Sequence, residues 1–223
     1  MSDTIGVSKA VVTITTGYGN TKSINVYRDA AEPLIEMNDT SVKFNARGEN
    51  EADVSVTTTI PVDDIEIVNT VSSWCETKLV KPYTWHLQLI AKENDTDEKR
   101  SGTITLKWKN GEVNKSLNVE QAAQYITMEN DYSIDKPYIY DDYSSNSIYF
   151  RTSLYEDDIK IKKSADWLQV YIDGSSGSSY YDYYRGCLRI SVNTNTSSSH
   201  REDIVTISNK KGTVSYSFKV KQL

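Results

Sequence analysis

The sequence has little of what staples small domains or builds reactive centres. Its 223 residues contain 2 cysteines and 2 histidines. Cys75 follows a tryptophan and Cys187 opens a late strand pattern, so they occupy unlike places in the repeats described below. A bridge within one repeat is excluded, and the chain is no disulfide scaffold. Free thiols fit a protein that folds in a reducing cytoplasm. His86 and His200 also stand in unlike contexts, so no zinc-ligating set is assembled. Long apolar runs are missing, which excludes a helical membrane span. The opening MSDTIGVSKA lacks the basic-then-apolar order of an export signal. Either a signal has been removed or the protein does not use one. A formal net charge of −6 speaks against a protein held on nucleic acid by its overall field. There is no Gly-x-Ser-x-Gly elbow and no Walker loop. Gly17-Tyr18-Gly19 lacks a third glycine and a following helix, and it reads as a turn.

What is present is a repeat. Gly102–Gln121, GTITLKWKNGEVNKSLNVEQ, is matched at the tail by Asp203–Gln222, DIVTISNKKGTVSYSFKVKQ. It is matched more loosely at the head by Ala10–Arg28, AVVTITTGYGNTKSINVYR. Each copy has two alternating runs joined by a polar, glycine-bearing turn. Alternation with period two marks a strand with one buried face. Asn110-Gly111 predicts a tight primed turn, which needs positive φ.

The repeat extends upstream of the hairpins. Residues 32–123 predict short strands at Val42–Ala46, Ala52–Thr59, Ile65–Val68, Leu79–Lys81, Tyr83–Ala91, Gly102–Trp108 and Val113–Gln121. Residues 124–223 repeat that order, with Ala165-Asp166-Trp167 matching Ser72-Ser73-Trp74. Seven or so short strands at this spacing predict an antiparallel sandwich, here duplicated as whole domains. No helix of useful length is expected. Residues 1–31 hold one hairpin, which is marginal alone in water. It docks on a neighbouring domain, another copy or a partner, or it is the severed end of a preceding repeat.

The Ser-x-Trp or Ala-Asp-Trp step, the strands ending near Asn94 and Asn195, the Arg100 and Arg201 steps, and the closing Val119-Glu120-Gln121 and Val220-Lys221-Gln222 together resemble the BACON domain. The head piece departs from it with Val26-Tyr27-Arg28. The resemblance implies an all-β fold of tandem immunoglobulin-like antiparallel β-sandwiches. It also implies a setting: surface proteins of gut Bacteroidetes, or the crAss-like phages that infect them. The family is named for a suspected carbohydrate-binding role.

The candidate chemistry is recognition. Asp173–Arg185, DGSSGSSYYDYYR, combines Gly, Ser and Tyr as adaptable binding loops do. As a loop it offers Tyr180, Tyr181, Tyr183 and Tyr184 as an aromatic patch for a glycan or protein. The other reading is a polar hairpin tip with rings lying on its own domain. Trp74 and Trp167 are read as core plugs rather than sugar platforms. Asp63-Asp64, Asp141-Asp142 and Asp157-Asp158 are read as solvated turn acids, with neither general acid/base pairing nor calcium-ligand spacing. No catalytic residue, metal or cofactor is expected, so the chain reads as no enzyme. Residues 124–184 carry 11 acids and 5 bases, and residues 185–223 carry 2 acids and 7 bases. Separate acidic and basic zones would suit docking, unless strand order mixes them. The expected function is an auxiliary or decoration protein on a phage capsid, at the virion surface. It would be held to a capsid or other virion protein through residues 1–31. The alternative is an extracellular or cell-surface carbohydrate-binding or spacer module.

Overall fold

The computed structural model describes residues 8–28, 31–47, 50–135, 137–140, 145–178 and 183–223. Among them there is no α-helix, only single 3-10 turns at Val62–Asp64 and Glu156–Asp158. The hairpin strands β1 (Ser8–Thr15) and β2 (Thr21–Arg28) form a sheet of their own. Next come β3 (Ile35–Met37), β4 (Ser41–Phe44), β5 (Asn50–Thr58), β6 (Ile65–Asn69), β7 (Cys75–Val80), β8 (Trp85–Ala91), β9 (Arg100–Trp108) and β10 (Asn114–Gln121). They make two sheets, ordered β3-β5-β8-β7 and β4-β10-β9-β6.

The plan then repeats strand for strand. It uses β11 (Ile126–Met128), β12 (Tyr138–Tyr140), β13 (Ser145–Thr152), β14 (Ile159–Lys162), β15 (Leu168–Ser178), β16 (Tyr183–Val192), β17 (Arg201–Asn209) and β18 (Ser215–Gln222). The sheets are β11-β13-β16-β15 and β12-β18-β17-β14. The fold is all-β, built of tandem immunoglobulin-like sandwiches. By compactness the chain divides into one unit of Met1–Val42, Glu51–Ala91 and Ser101–Glu120, and another of Lys43–Asn50, Lys92–Arg100 and Gln121–Leu223.

Alternation explains the sheets. Ile104 and Leu106 on β9, and Leu117 and Val119 on β10, are fully buried between outward Thr, Lys and Ser residues. Val205, Ile207, Phe218 and Val220 do the same in the later core, which also takes in Ile148, Phe150, Leu168, Leu188 and Ile190. Each such side chain withdrawn from water contributes about 1.5–3 kcal/mol.

Three expectations are corrected. The sheets are not wholly antiparallel, because β12 runs parallel to β18. Asn118 N–H to Thr40 O and Ala122 N–H to Phe44 O, both 3.0 Å, climb β4 and β10 in the same parallel sense. A parallel neighbour needs a long crossover, and most of a sandwich lies between these strands. Strand β7 begins at Cys75, because Glu76 and Lys78 face outward and mask the alternation; Tyr83 lies outside β8 and is 94% exposed. Gly111 does not have positive φ; among the described glycines Gly19, Gly174 and Gly212 do. Its turn spans residues 109–113, closed by Trp108 N–H to Val113 O at 2.9 Å. Glycine is needed there because a Cβ would lie 2.2 Å from the Trp108 ring. Of the two readings of Asp173–Arg185, the hairpin agrees with the pairing of Ser175–Ser178 of β15 opposite Tyr183–Gly186 of β16, while residues 179–182 lie outside the described residues.

The family-like Arg and Gln positions close each sandwich. Arg100 Nε donates to Gln121 Oε1 at 2.9 Å, and its Nη2 donates to the carbonyls of Lys92 (2.8 Å) and Glu93 (3.1 Å). Gln121 Nε2 donates to Asn45 O and Lys92 O. In the second copy Arg201 Nε donates to Gln222 Oε1 at 2.9 Å, and both side chains bond Asn193 O. Gln121 and Gln222 are buried, so their amides have no water to fall back on. Gln121→Ala is expected to destabilise the fold by about 1–3 kcal/mol in denaturant unfolding, since it removes the acceptor of Arg100 Nε and one donor each from the carbonyls of Asn45 and Lys92. Lys107→Ala, on the exposed face of β9, is expected to stay within about 0.5 kcal/mol.

Candidate functional site

The most built surface among the described residues is the outer face of sheet β11-β13-β16-β15. Inward Ile148, Phe150, Leu188 and Ile190 fix the strands, so the intervening residues must face outward. Register sets Arg151 opposite Arg185, Tyr149 opposite Cys187, and Arg189 between Ser147 and Tyr171. Two arginines directly opposite would repel. Glu129, just beyond β11, resolves this by accepting from Arg185 Nη2 at 2.7 Å and Arg151 Nε at 3.1 Å. Arg185 also lies over the Tyr149 ring, 4.0 Å from its centroid. Arg189 Nε donates to Asp173 Oδ2 at 2.9 Å, beside the bulge where Gly174 has a φ of 80°. Bulges re-aim side chains and concentrate near functional sites.

Tyr149, Asp173, Arg185, Cys187 and Arg189 are among the residues that line an open hollow of about 390 Å³ on this face. Tyr149 is 37% exposed, and Tyr171, opposite Arg189 in register, is 50% exposed. The arrangement offers planar guanidinium donors, carboxylate acceptors and aromatic faces already held in place. That chemistry recognises hydroxyl, carboxylate or amide groups. It holds no nucleophile paired with a base.

A larger hollow, about 550 Å³, lies on sheet β12-β18-β17-β14, lined by Lys162, Lys163, Ser164, Asp203 and Lys219 among others. Its acids are already engaged. Glu202 pairs with Lys219 at 3.0 Å. Asp203 accepts from Ser164 Oγ (2.6 Å), Ser164 N–H (2.9 Å) and Ala165 N–H (2.8 Å). Burial pushes the Asp203 carboxyl upward, but these donors outweigh it and hold the group below its ordinary range. Gly102 occupies the matching place in the first copy, where a Cβ would lie 2.3 Å from Val71 Cγ1. Two different residues thus keep the same crossing tight.

Of the sequence-predicted tyrosines, Tyr180 and Tyr181 lie outside the described residues. Tyr183 is placed as a backbone position in β16. Tyr184 is half-buried inside the second unit, with its ring 5.4 Å from Tyr155 and Arg47 Cζ 4.8 Å from both rings. It lies one residue from Arg185, so it belongs to the opposite face of the strand. Trp74 is buried, and Trp167 packs on the core with Arg201 at 4.7 Å from its ring. Asp63 and Asp158 sit in the 3-10 turns, while Asp141 and Asp142 lie outside the described residues. No group of three metal-ligating side chains occurs among the described residues. Among the described residues the acids and bases of the second domain are mixed in space. Bases of 185–223 pair with acids of 124–184, as Arg185 does with Glu129 and Lys210 with Asp158. Strand order interleaves what the linear count had separated.

Sequence reasoning missed the outer face, because its members are spread over three strands and the residue that follows a fourth. Only the alternation Tyr149-x-Arg151 and Arg185-x-Cys187-x-Arg189 could have signalled it.

The fold and this face define a binding or structural module of immunoglobulin-like sandwiches. A profile described as "BACON: Putative binding domain, N-terminal" matches residues 65–122 and 156–223, more than half of the chain. The chain belongs to the BACON family. No curated protein matches it. Among solved structures it is similar to an I-band fragment from titin (TM-score 0.38, 10% identity, 93% of this chain and 70% of that one). It is also similar to another tandem from titin (0.46, 12%, 85% and 65%). A third is domains 4–9 of surface layer protein SbsC (0.30, 16%, 98% and 35%), so the chain spans about a third of that fragment. No helix among the described residues is long and apolar enough to cross a membrane, which says nothing of strands.

The Arg185 guanidinium, then that of Arg151, holds the Glu129 carboxyl below its ordinary 4.5 against a smaller upward push from burial. Stability from this cluster is full above 4.5 and is lost as pH falls through the lowered native value. A carboxyl titration by NMR is expected to place Glu129 below 4.5, and Arg185→Ala is expected to raise it.

Proposed function

We propose that this chain is a non-catalytic structural and binding protein of a phage virion, an auxiliary or decoration protein of the capsid surface. Residues 1–31 attach it to a capsid or other virion protein, and the sandwiches display their faces outward. The observation that carries this reading is the hairpin. Every described side chain from Lys9 to Arg28 is exposed, including Val11, Val12, Ile14, Ile24, Val26 and Tyr27. A two-stranded sheet in that state is marginal and gains stability by docking. Deleting residues 1–31 is expected to abolish rebinding of the purified chain to particles lacking it, while the circular dichroism of the sandwiches persists. Normal rebinding by the truncated chain would remove the anchor.

A second reading is a secreted or cell-surface module that binds carbohydrate. It is favoured by the outer face, where Tyr149, Tyr171, Arg189 and Asp173 offer stacking surfaces beside a guanidinium–carboxylate pair. On a glycan array, this reading expects Tyr171→Ala with Arg189→Ala to lose the signal. Replacing Tyr180, Tyr181, Tyr183 and Tyr184 by Ser tests the hairpin patch separately, and an unchanged signal would remove those four residues from the site.

A further inference from the structure

The mixing of charge stops at one face of the second sandwich. Val205, Ile207, Phe218 and Val220 are fully buried, so the residues that alternate with them on β12-β18-β17-β14 face outward. These include Lys160 and Lys162 on β14 and Lys219 and Lys221 on β18. Lys163 stands beside them at the hollow of about 550 Å³. Two acids line that hollow, and both are engaged. Glu202 pairs with Lys219, and Asp203 accepts from Ser164 and Ala165. Among the described residues no carboxylate pairs with Lys160, Lys162, Lys163 or Lys221.

The first sandwich carries the opposite sign on its other sheet. Ile35, Met37, Val54, Val56, Leu87 and Leu89 of β3-β5-β8-β7 are buried. Alternation therefore turns Glu36, Glu51, Asp53 and Glu76 outward. The bases there are Lys78 on β7 and Lys92, just past β8. Glu36, Glu51 and Asp53 have no cationic partner among the described residues. The duplication shows that the fold requires neither face. Register equates Glu66 with Lys160 and Val68 with Lys162. Counting back from Gln121 and Gln222 equates Asn118 with Lys219 and Glu120 with Lys221. On the other sheet Glu36, Asp53 and Glu76 correspond to Thr127, Ser147 and Gln169.

We infer that the lysine face of the second sandwich docks on the acidic face of the first sandwich of another copy of this chain. Like charges gathered on one sheet face repel. A copy that brings the opposite sign relieves both clusters at once. Ile139 and Ile204, 52% and 45% exposed, add apolar area to the lysine face. The two faces are unlike, so the contact is heterologous and builds rings or chains. Four strands ~4.8 Å apart and about eight residues long bury at most about 1,000 Å² over both partners. That size belongs to weak, transient contacts, with dissociation constants of about 0.1 mM. The inference is independent of the anchoring role proposed for residues 1–31.

Sedimentation velocity of the full chain at about 0.3 mM, above that constant, tests this. The parent is expected to self-associate in about 20 mM salt and to be monomeric in about 500 mM salt. Two reversal variants follow, K162E with K221E and E36K with D53K. All four positions face outward, so both variants are expected to keep the parent's circular dichroism. Each alone is expected to be monomeric in low salt. Mixed in equal amounts they are expected to recover association, since each supplies the face that the other has lost. A monomeric parent in low salt, association unchanged by salt, a variant that associates as the parent does, or a mixture that stays monomeric would overturn the inference. Should a reversal variant not fold, K162Q with K221Q and E36Q with D53N replace it. These are expected to weaken association at least ~10-fold, and unchanged association would contradict the inference. A parent that stays monomeric but retains polygalacturonate through Lys162 and Lys221 would give the lysine face to an acidic polysaccharide and overturn it as well.

Discussion

A part-buried side-chain bond between an arginine and a glutamine closes each sandwich, joining the start of one strand of the last hairpin to the end of the other. Strands β9 and β17 start at the arginine, and β10 and β18 end at the glutamine. The pair ties the open end of the last hairpin to the carbonyl of Lys92 or Asn193, just past the neighbouring long strand. A carbonyl there that lacked a donor would carry the full cost of desolvation. The loop after it is held in the same manner. Asn94 Nδ2 donates to Glu98 O and Ala122 O, and Asn195 Nδ2 donates to Ser199 O. The Arg, Gln and Asn positions that carry the family resemblance therefore hold each sandwich together.

That structural role bounds what was legible in the sequence. Alternation exposed the hairpins, because Ile104, Leu106, Leu117 and Val119 bury one face only. Duplication exposed the sandwich plan. The turn at Asn110-Gly111 misled, because a close approach to Trp108 requires glycine as strictly as positive φ does. The parallel strands β4 and β12 could not be read, since three or four residues carry no sign of direction. Asp173–Arg185 has a loop's composition, yet most of it is held in strand by pairing with its neighbour. The outer face was hidden for a different reason. Glu129 and Arg185 lie 56 positions apart and meet only through sheet order.

The electrostatics of the second unit follow from that same order. Acids and bases far apart in the chain fall opposite one another, so the charge is locally neutralised and the arginines are fixed in direction. A held guanidinium beside exposed tyrosines is already ordered, so a ligand bound there would cost less entropy of ordering. The hairpin β1–β2 is an exception to this economy. Val12, Ile14, Ile24 and Val26 alternate as a core face does and are exposed.

Amide hydrogen exchange on the dilute, isolated chain tests the central claim most directly, namely that one closing hairpin occurs three times and, among the described residues, two of the copies are completed into sandwiches. Amides of β9–β10 and β17–β18 should exchange slowly and alike, while those of β1–β2 should exchange at least ~100-fold faster, as expected of a sheet that lacks a facing layer. Equal protection of all three hairpins would contradict the account.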